Sequence, residues 1–386
     1  MPKARYIMVG GFLGAGKTTA LLRLAERFRG RGLRVGLITN DQSFGLVDTA
    51  MLANHDFPVQ YITGGCFCCR FDSLTDAAEK LSERDRPDVF LAEPVGSCTD
   101  LVATVAYPLR RMYGDQYAIA PFSVLVDPVR AERILGLTTG GKSFSPKVVY
   151  IYRKQLEEAD VIVVNKVDTL DEERLRKLTA ALQAEFPQAK IVPLSARHGT
   201  NLDEWAGLID AGEQSGRPAM AVDYDTYADG EALLGWVNLT AKLTAEAPFD
   251  GNKFRADLMA AAQADLKANG AEVAHLKATL TPDEGSDLAV MNLTRTDGRA
   301  EASHELRDEV QTGELIVNLR AEADPEVLKT VAVEALDGVM REWRVNGRFE
   351  HVEAFRPGRP VPTHRDTGSP LPAGRGAGGE GVRLHR

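Results

Sequence analysis

The stretch GFLGAGKT, Gly11–Thr18, constrains the fold more than any other part of this sequence. It fits G-x-x-x-x-G-K-[ST]. It follows an apolar run, YIMV (Tyr6–Val9), and precedes an amphipathic pattern, TTALLRLAERFRGRG. Strand, loop, helix is the order that a phosphate-binding loop requires. Glycines let successive backbone N–H groups close around phosphate oxygens, and the helix N-terminus adds partial positive charge. Gly11, Gly14, Ala15, Gly16, Lys17, Thr18 and Thr19 are the expected nucleotide-binding residues here, with Lys17 reaching the β- and γ-phosphates and Thr18 ligating Mg2+.

Such a loop belongs to a parallel sheet covered by helices. RVGLIT (Arg34–Thr39), DVFLAE (Asp88–Glu93), FSVLVD (Phe122–Asp127), DVIVVN (Asp160–Asn165) and KIVPLS (Lys190–Ser195) continue the series of apolar runs between helical patterns. The expected fold class is α/β, a P-loop NTPase domain with a mostly parallel sheet over residues 1–216, followed by a smaller α+β domain. The full 386 residues exceed one core. A turn-rich linker, 217–223, leads to the second domain over 224–355. There ALLGWVNLTAKLTA, EVAHLKATLT and ELIVNLRAEA read as strands. NKFRADLMAAAQADLKANG and PEVLKTVAVEALDGVMREW read as helices, an order that suggests a ferredoxin-like module. Residues 356–386, rich in Pro, Gly and Arg, cannot bury a core and are expected to be disordered.

VIVVNKVD puts Asn165, Lys166 and Asp168 at the end of a later strand. A carboxylate there can accept both hydrogens of the guanine N1–H and amino edge, a donor pair that adenine lacks, so GTP is favoured over ATP. The Lys166 stem can cover the base. PLSAR adds Ser195 and Ala196, the latter offering an N–H to the guanine carbonyl. Glu93 and Asp41 end strands as candidate acids for Mg2+ or the attacking water. With Lys17 they make the expected catalytic group, and Gly96 lets the backbone approach the γ-phosphate.

TGGCFCCRFD, Thr63–Asp72, holds three of the chain's four cysteines: Cys66, Cys68 and Cys69. Four cysteines in so long a chain are no disulfide framework, so a reducing compartment, the cytoplasm, is expected. Thiolates suit zinc, cobalt and related ions, and Gly64 and Gly65 ease the sharp turn that three thiols around one ion need. The bland alternative, buried small hydrophobes, fits a cluster of three poorly. Cys98 is either a fourth thiolate or a packed small residue. His55 and His198 read as loop histidines, although His55 could complete a tetrahedral site. The net charge of −9 argues against a broad nucleic-acid surface. The N-terminus imitates a secretory signal, but cleavage there would destroy the phosphate loop. No apolar run is long enough to span a membrane.

Taken in order, GGFLGAGKTT, GGCFCC, EPVG, RKQLEEADVIVVNKVD and PLSA resemble the CobW family of P-loop GTPases, relatives of HypB- and UreG-type metallochaperones and MeaB-type chaperones. The family's C-x-C-C motif matches Cys66, Cys68 and Cys69, and its E-x-x-G motif matches Glu93 and Gly96. The resemblance implies slow GTP hydrolysis to GDP and delivery of Zn2+ or Co2+ to a client metalloprotein or cofactor-biosynthesis enzyme. It also implies a homodimer paired across the nucleotide face. A GTP-gated remodelling chaperone of the MeaB kind, with structural cysteines, is the alternative. A small-molecule kinase is a third, against which NKVD speaks. The chain departs from the family pattern at NDQS, at Cys98 and throughout its second domain, which the resemblance implies is the client-binding part.

Overall fold

The computed structural model describes residues 2–40, 57–83, 85–285 and 287–367. Eight strands form the first sheet: β1 (Ala4–Gly11), β2 (Val35–Asn40), β3 (Val59–Ile62), β4 (Val89–Glu93), β5 (Tyr117–Ile119), β6 (Ser123–Val126), β7 (Val161–Val164) and β8 (Lys190–Pro193). All pair in parallel, in the order β3-β2-β4-β1-β6-β7-β8, with β5 beside the start of β1. Parallel neighbours need long crossovers. Between the strands run α1 (Lys17–Gly30), α2 (Phe71–Ser82), α3 (Tyr107–Tyr113), α4 (Pro128–Ile134), α5 (Pro146–Glu158) and α6 (Glu172–Glu185), and α7 (Leu202–Ala211) follows β8. Leu21, Leu24 and Phe28 of α1 meet Trp205 of α7 on one face, and Phe71, Leu74, Ile151 and Tyr152 fill the other. Both faces are covered, which is why the strands read as continuous apolar runs.

β1 lies between β4 and β6, with β2, β3 and β4 on one side of it and β6, β7 and β8 on the other. The crevice at the carboxyl ends of such strands is where α/β domains bind ligands. The phosphate loop, Glu93, Asp127 and Asn165 all stand there, at or just beyond the ends of β1, β4, β6 and β7.

The second domain holds β9 (Leu234–Phe249), α9 (Gly251–Ala268), β10 (Glu272–Pro282), β11 (Ala289–Leu293), β12 (Glu301–His304), β13 (Val310–Glu322), α10 (Pro325–Trp343) and β14 (Val345–Phe355). Its antiparallel sheet runs β12-β11-β10-β13-β9-β14. Without the β11–β12 hairpin, the order β10-β13-β9-β14 is the split βαβ arrangement of ferredoxin-like domains. Asp250 starts α9 by accepting from the N–H groups of Asn252 and Lys253 at 3.1 and 3.0 Å. Gly270 closes it at φ +64°, a left-handed position. Asp324 and Pro325 start α10 in the same manner. Both helices pack on one face of the sheet, on Val237, Leu276, Val317 and Leu319.

Two segments differ from the expectation. A helix, α8 (Tyr224–Leu233), precedes β9 and packs on the first domain, burying Tyr227 in its core. Residues 356–367, expected to lack structure, run back over the first domain as an extended strap. The Thr363 N–H donates to Cys68 O at 2.8 Å, and that of Asp366 to Ala103 O at 2.8 Å. Arg365 Nε donates to Asp100 Oδ2 at 2.7 Å. A Pro- and Gly-rich segment cannot build a core of its own, but it can bond a neighbour through its backbone. Among the described residues no helix is long and apolar enough to cross a membrane.

Candidate nucleotide and metal site

The glycines of the phosphate loop are fixed by what lies against them. Gly16 has φ +86°, and a Cβ there would stand 2.5 Å from Asn165 Nδ2. That amide is occupied, donating to Ala15 O at 2.9 Å. Lys166, itself at φ 57°, donates from Nζ to Gly14 O and to Asp127 Oδ2, both at 2.7 Å. The NKxD segment thus holds the phosphate loop from below. Gly96 approaches it from the side, since a Cβ would lie 2.9 Å from the Leu13 backbone nitrogen.

At the phosphate end, Thr18 Oγ1 donates to Glu93 Oε1 at 3.1 Å, and Lys17 Nζ stands 3.9 Å from that same oxygen. A hydroxyl beside a buried carboxylate is the hard oxygen pair that Mg2+ takes. Thr19 lines the same cavity. At the base end, Ser195 Oγ donates to Asp168 Oδ1. The Ala196 N–H, expected to meet a guanine carbonyl, donates instead to Asn165 Oδ1 at 3.0 Å. Asp41 and His55 lie outside the described residues. His198 is largely exposed, 3.8 Å from Asp168 and away from the cysteines.

Asp127 was not singled out by its sequence. Burial alone would raise its carboxyl, but Lys166 and Arg130 outweigh that and bring it down to about 2. Arg130, also buried, reaches from α4 to Leu13 O at 2.6 Å and to the second domain at Ala274 O, 3.1 Å, and Thr294 O. One guanidinium therefore joins the phosphate loop to the second sheet.

The three cysteines converge. Cys66 Sγ lies 2.7 Å from Cys68 Sγ and 3.3 Å from Cys69 Sγ, and Cys68 and Cys69 are 3.6 Å apart. All three sulfurs fall within 4.8 Å of one another. Tetrahedral zinc with Zn–S of about 2.3 Å spaces its sulfurs about 3.8 Å apart, so the group needs to open by roughly 1 Å at its tightest pair. Bonds from Cys68, Cys69 and Cys98 hold the Cys66 thiol well below its usual range against the cost of burial. Its bond to Cys66 pushes Cys69 up to about 11. The mutual contacts of the three sulfurs thus favour the ionised form at Cys66 and the protonated form at Cys69. Cys98 is buried with its thiol on Cys66, outside the compact set of three.

Two neighbours escaped the sequence reading. Glu231 of α8 is buried, accepts from Ser97 Oγ at 2.7 Å, and has its carboxyl pushed up by burial and then by Cys66. Asn40, the last residue of β2, lines the nucleotide cavity and donates from Nδ2 to Ile62 O at 3.1 Å and Gly65 O at 2.7 Å. It ties the wall of one site to the loop of the other. Nothing in a lone asparagine at a strand end signals this.

Fold and loop together define a P-loop NTPase domain. Residues 5–193 match the model of the CobW/HypB/UreG nucleotide-binding domain. The zinc chaperone CobW of Sinorhizobium sp is 31% identical over 190 residues, 44% of this chain and 52% of that protein. The zinc-regulated GTPase metalloprotein activator 1 of Dictyostelium discoideum is 24% identical over 213 residues, 48% of this chain and 44% of that protein. The chain spans about half the length of the curated relatives it matches. Among solved structures, the Zn(II)-bound YjiA GTPase from E. coli aligns with 88% of this chain and 99% of its own, at 17% identity and a TM-score of 0.35.

Proposed function

We propose that the protein is a GTP-hydrolysing metallochaperone. It carries a transition metal, zinc or cobalt, on Cys66, Cys68 and Cys69 to a client metalloprotein or cofactor-biosynthesis enzyme, under nucleotide control. The observation that carries this reading is Asn40, whose one amide bonds the cysteine loop while its side chain walls the nucleotide cavity. The names of the zinc-chaperone relatives favour zinc as the cargo. Three reduced thiols packed together suit a reducing compartment.

In this reading, backbone N–H groups of Gly14–Thr18 and the Lys17 ammonium hold the β- and γ-phosphates. Thr18 and Glu93 would hold Mg2+, which supplies positive charge to the phosphate oxygens when bound. Asp168, oriented by Ser195, accepts the guanine N1–H and amino hydrogens. Occupancy at the end of β2 moves Asn40, and with it Gly65, one residue before the first thiol. The cysteines then pass between a metal-holding and a metal-releasing arrangement.

The test is a titration of the reduced protein with zinc and with cobalt against a competing chelator, first with GDP and then with a non-hydrolysable GTP analogue. Metal affinity is expected to differ by about tenfold or more between the two, a coupling of about 1.4 kcal/mol. Joint replacement of Cys66, Cys68 and Cys69 by Ser should abolish tight binding. Equal affinity in both nucleotide states would leave a static structural site and sink the switch.

A further inference from the structure

The second sheet has two unlike faces. Along β10, Leu276, Ala278 and Leu280 point to the helices, so His275, Lys277 and Thr279 point away. Strand register aligns what points away. Asn292 of β11 pairs with Lys277, Lys277 with Asn318 of β13, and Asn318 with Asn238 of β9. The result is a polar rung, Asn-Lys-Asn-Asn, across four adjacent strands. The neighbouring rung carries His275, Arg320 and Trp236.

These side chains are not on an open surface. Lys277, Asn318, Arg320 and Asn238 are all buried. The rung is also held in place: Asn238 Oδ1 accepts from Asn318 Nδ2 at 3.2 Å and from Arg320 Nη2 at 2.6 Å. The Arg320 guanidinium stacks 4.1 Å over Trp236. The face looks onto the phosphate loop. A Cβ at Gly14 would stand 3.0 Å from Ala274 O and 2.9 Å from Thr294 Cγ2. Lys277, Asn292, Asn318 and Arg320 share one cavity of about 590 Å3 with Lys17 and Thr18. An ammonium and a guanidinium among amide groups make an oxyanion-binding set.

We propose that this sheet face is the second half of the nucleotide site. Lys277, between Asn292 and Asn318, takes the terminal phosphate of the nucleotide that the phosphate loop holds from the opposite side. The second domain thereby senses whether that phosphate is present. This rests on reading the cavity as a guanine-nucleotide site.

The experiment is calorimetric titration of the full-length protein, with Mg2+, using GDP and a non-hydrolysable GTP analogue as probes. Lys277→Met keeps the aliphatic stem and removes the charge. It is expected to weaken the analogue by about tenfold or more and GDP by less than about threefold, and Lys277→Arg to recover most of the loss. Asn318→Asp places a negative charge in the same rung and should show the same selective loss, so it decides the matter if Lys277→Met does not fold. An equal loss for both nucleotides, or none for either, overturns the proposal. Should the unaltered protein bind neither nucleotide, the proposed function falls and this inference with it. Should it bind both while metal affinity ignores them, only the switch falls.

Discussion

Two side chains carry predictions at the scale of single residues. Replacing Asn40 by Ala leaves Ile62 O and Gly65 O without their buried donor, a loss on the order of 1–3 kcal/mol. The sharper expectation concerns coupling: metal affinity of the variant should no longer depend on which guanine nucleotide is bound, in the same chelator competition. Asp127 gives a pH dependence. Its folded carboxyl sits at about 2 against an ordinary 3.8, so the stability it contributes is present above about pH 4 and is lost as pH falls through 2. The difference corresponds to about 2 kcal/mol. Denaturant unfolding followed from pH 5 to pH 2 should therefore decline less steeply in Asp127→Asn than in the unaltered chain. A variant curve parallel to the parent would count against the ion pair with Lys166.

Among the elements, α8 shows how context reverses a rule. Glycine inside a helix is about 1 kcal/mol worse than alanine, so Gly230→Ala would ordinarily stabilise. Here a Cβ would lie 2.5 Å from Lys147 O on α5. The expected result is destabilisation by about 1–3 kcal/mol, read as a lowered melting temperature, with α8 lifted from its seat. An unchanged or raised melting temperature would mean that α8 packs less tightly than this. The same helix shows what the sequence withholds. YDTYADGEAL carries little apolar periodicity, and what it buries is a tyrosine, a glycine and a glutamate: Tyr227, Gly230 and Glu231. The parallel strands were legible because covering on both faces forces continuous apolar runs. The phosphate loop was legible because its chemistry needs fixed residue types at fixed spacing. The Asn-Lys-Asn-Asn rung was not. Each member looks like the solvent face of an amphipathic strand, and only register brings them into line over the cavity. The strap was misread because composition speaks to cores and says nothing of backbone bonds to another domain.

In the whole molecule the strap closes the chain onto its own thiols. The Val361 N–H donates to Cys69 Sγ at 3.2 Å, His364 meets Phe71 edge-on, and Arg365 neutralises Asp100, which sits buried at φ 64°. Arg365→Ala should release this end. Cys69 is then expected to react severalfold faster with a thiol reagent in the metal-free protein, and thermal stability should fall by about 1–3 kcal/mol as the buried Asp100 loses its cation and keeps only the Tyr224 hydroxyl. No change in thiol reactivity would mean that the strap does not shield the cluster. Chain order gives this arrangement a second consequence. Cys69 is synthesised 292 residues before Val361. At roughly 5–20 residues per second, the ribosome leaves the cysteine loop uncovered for about 15–60 s on each nascent chain. An ion present during translation can therefore reach the thiols before the strap exists, whereas one arriving after release must wait for the strap to lift. For the proposed metallochaperone, the history of a molecule, and not only its nucleotide, would then set whether it is loaded.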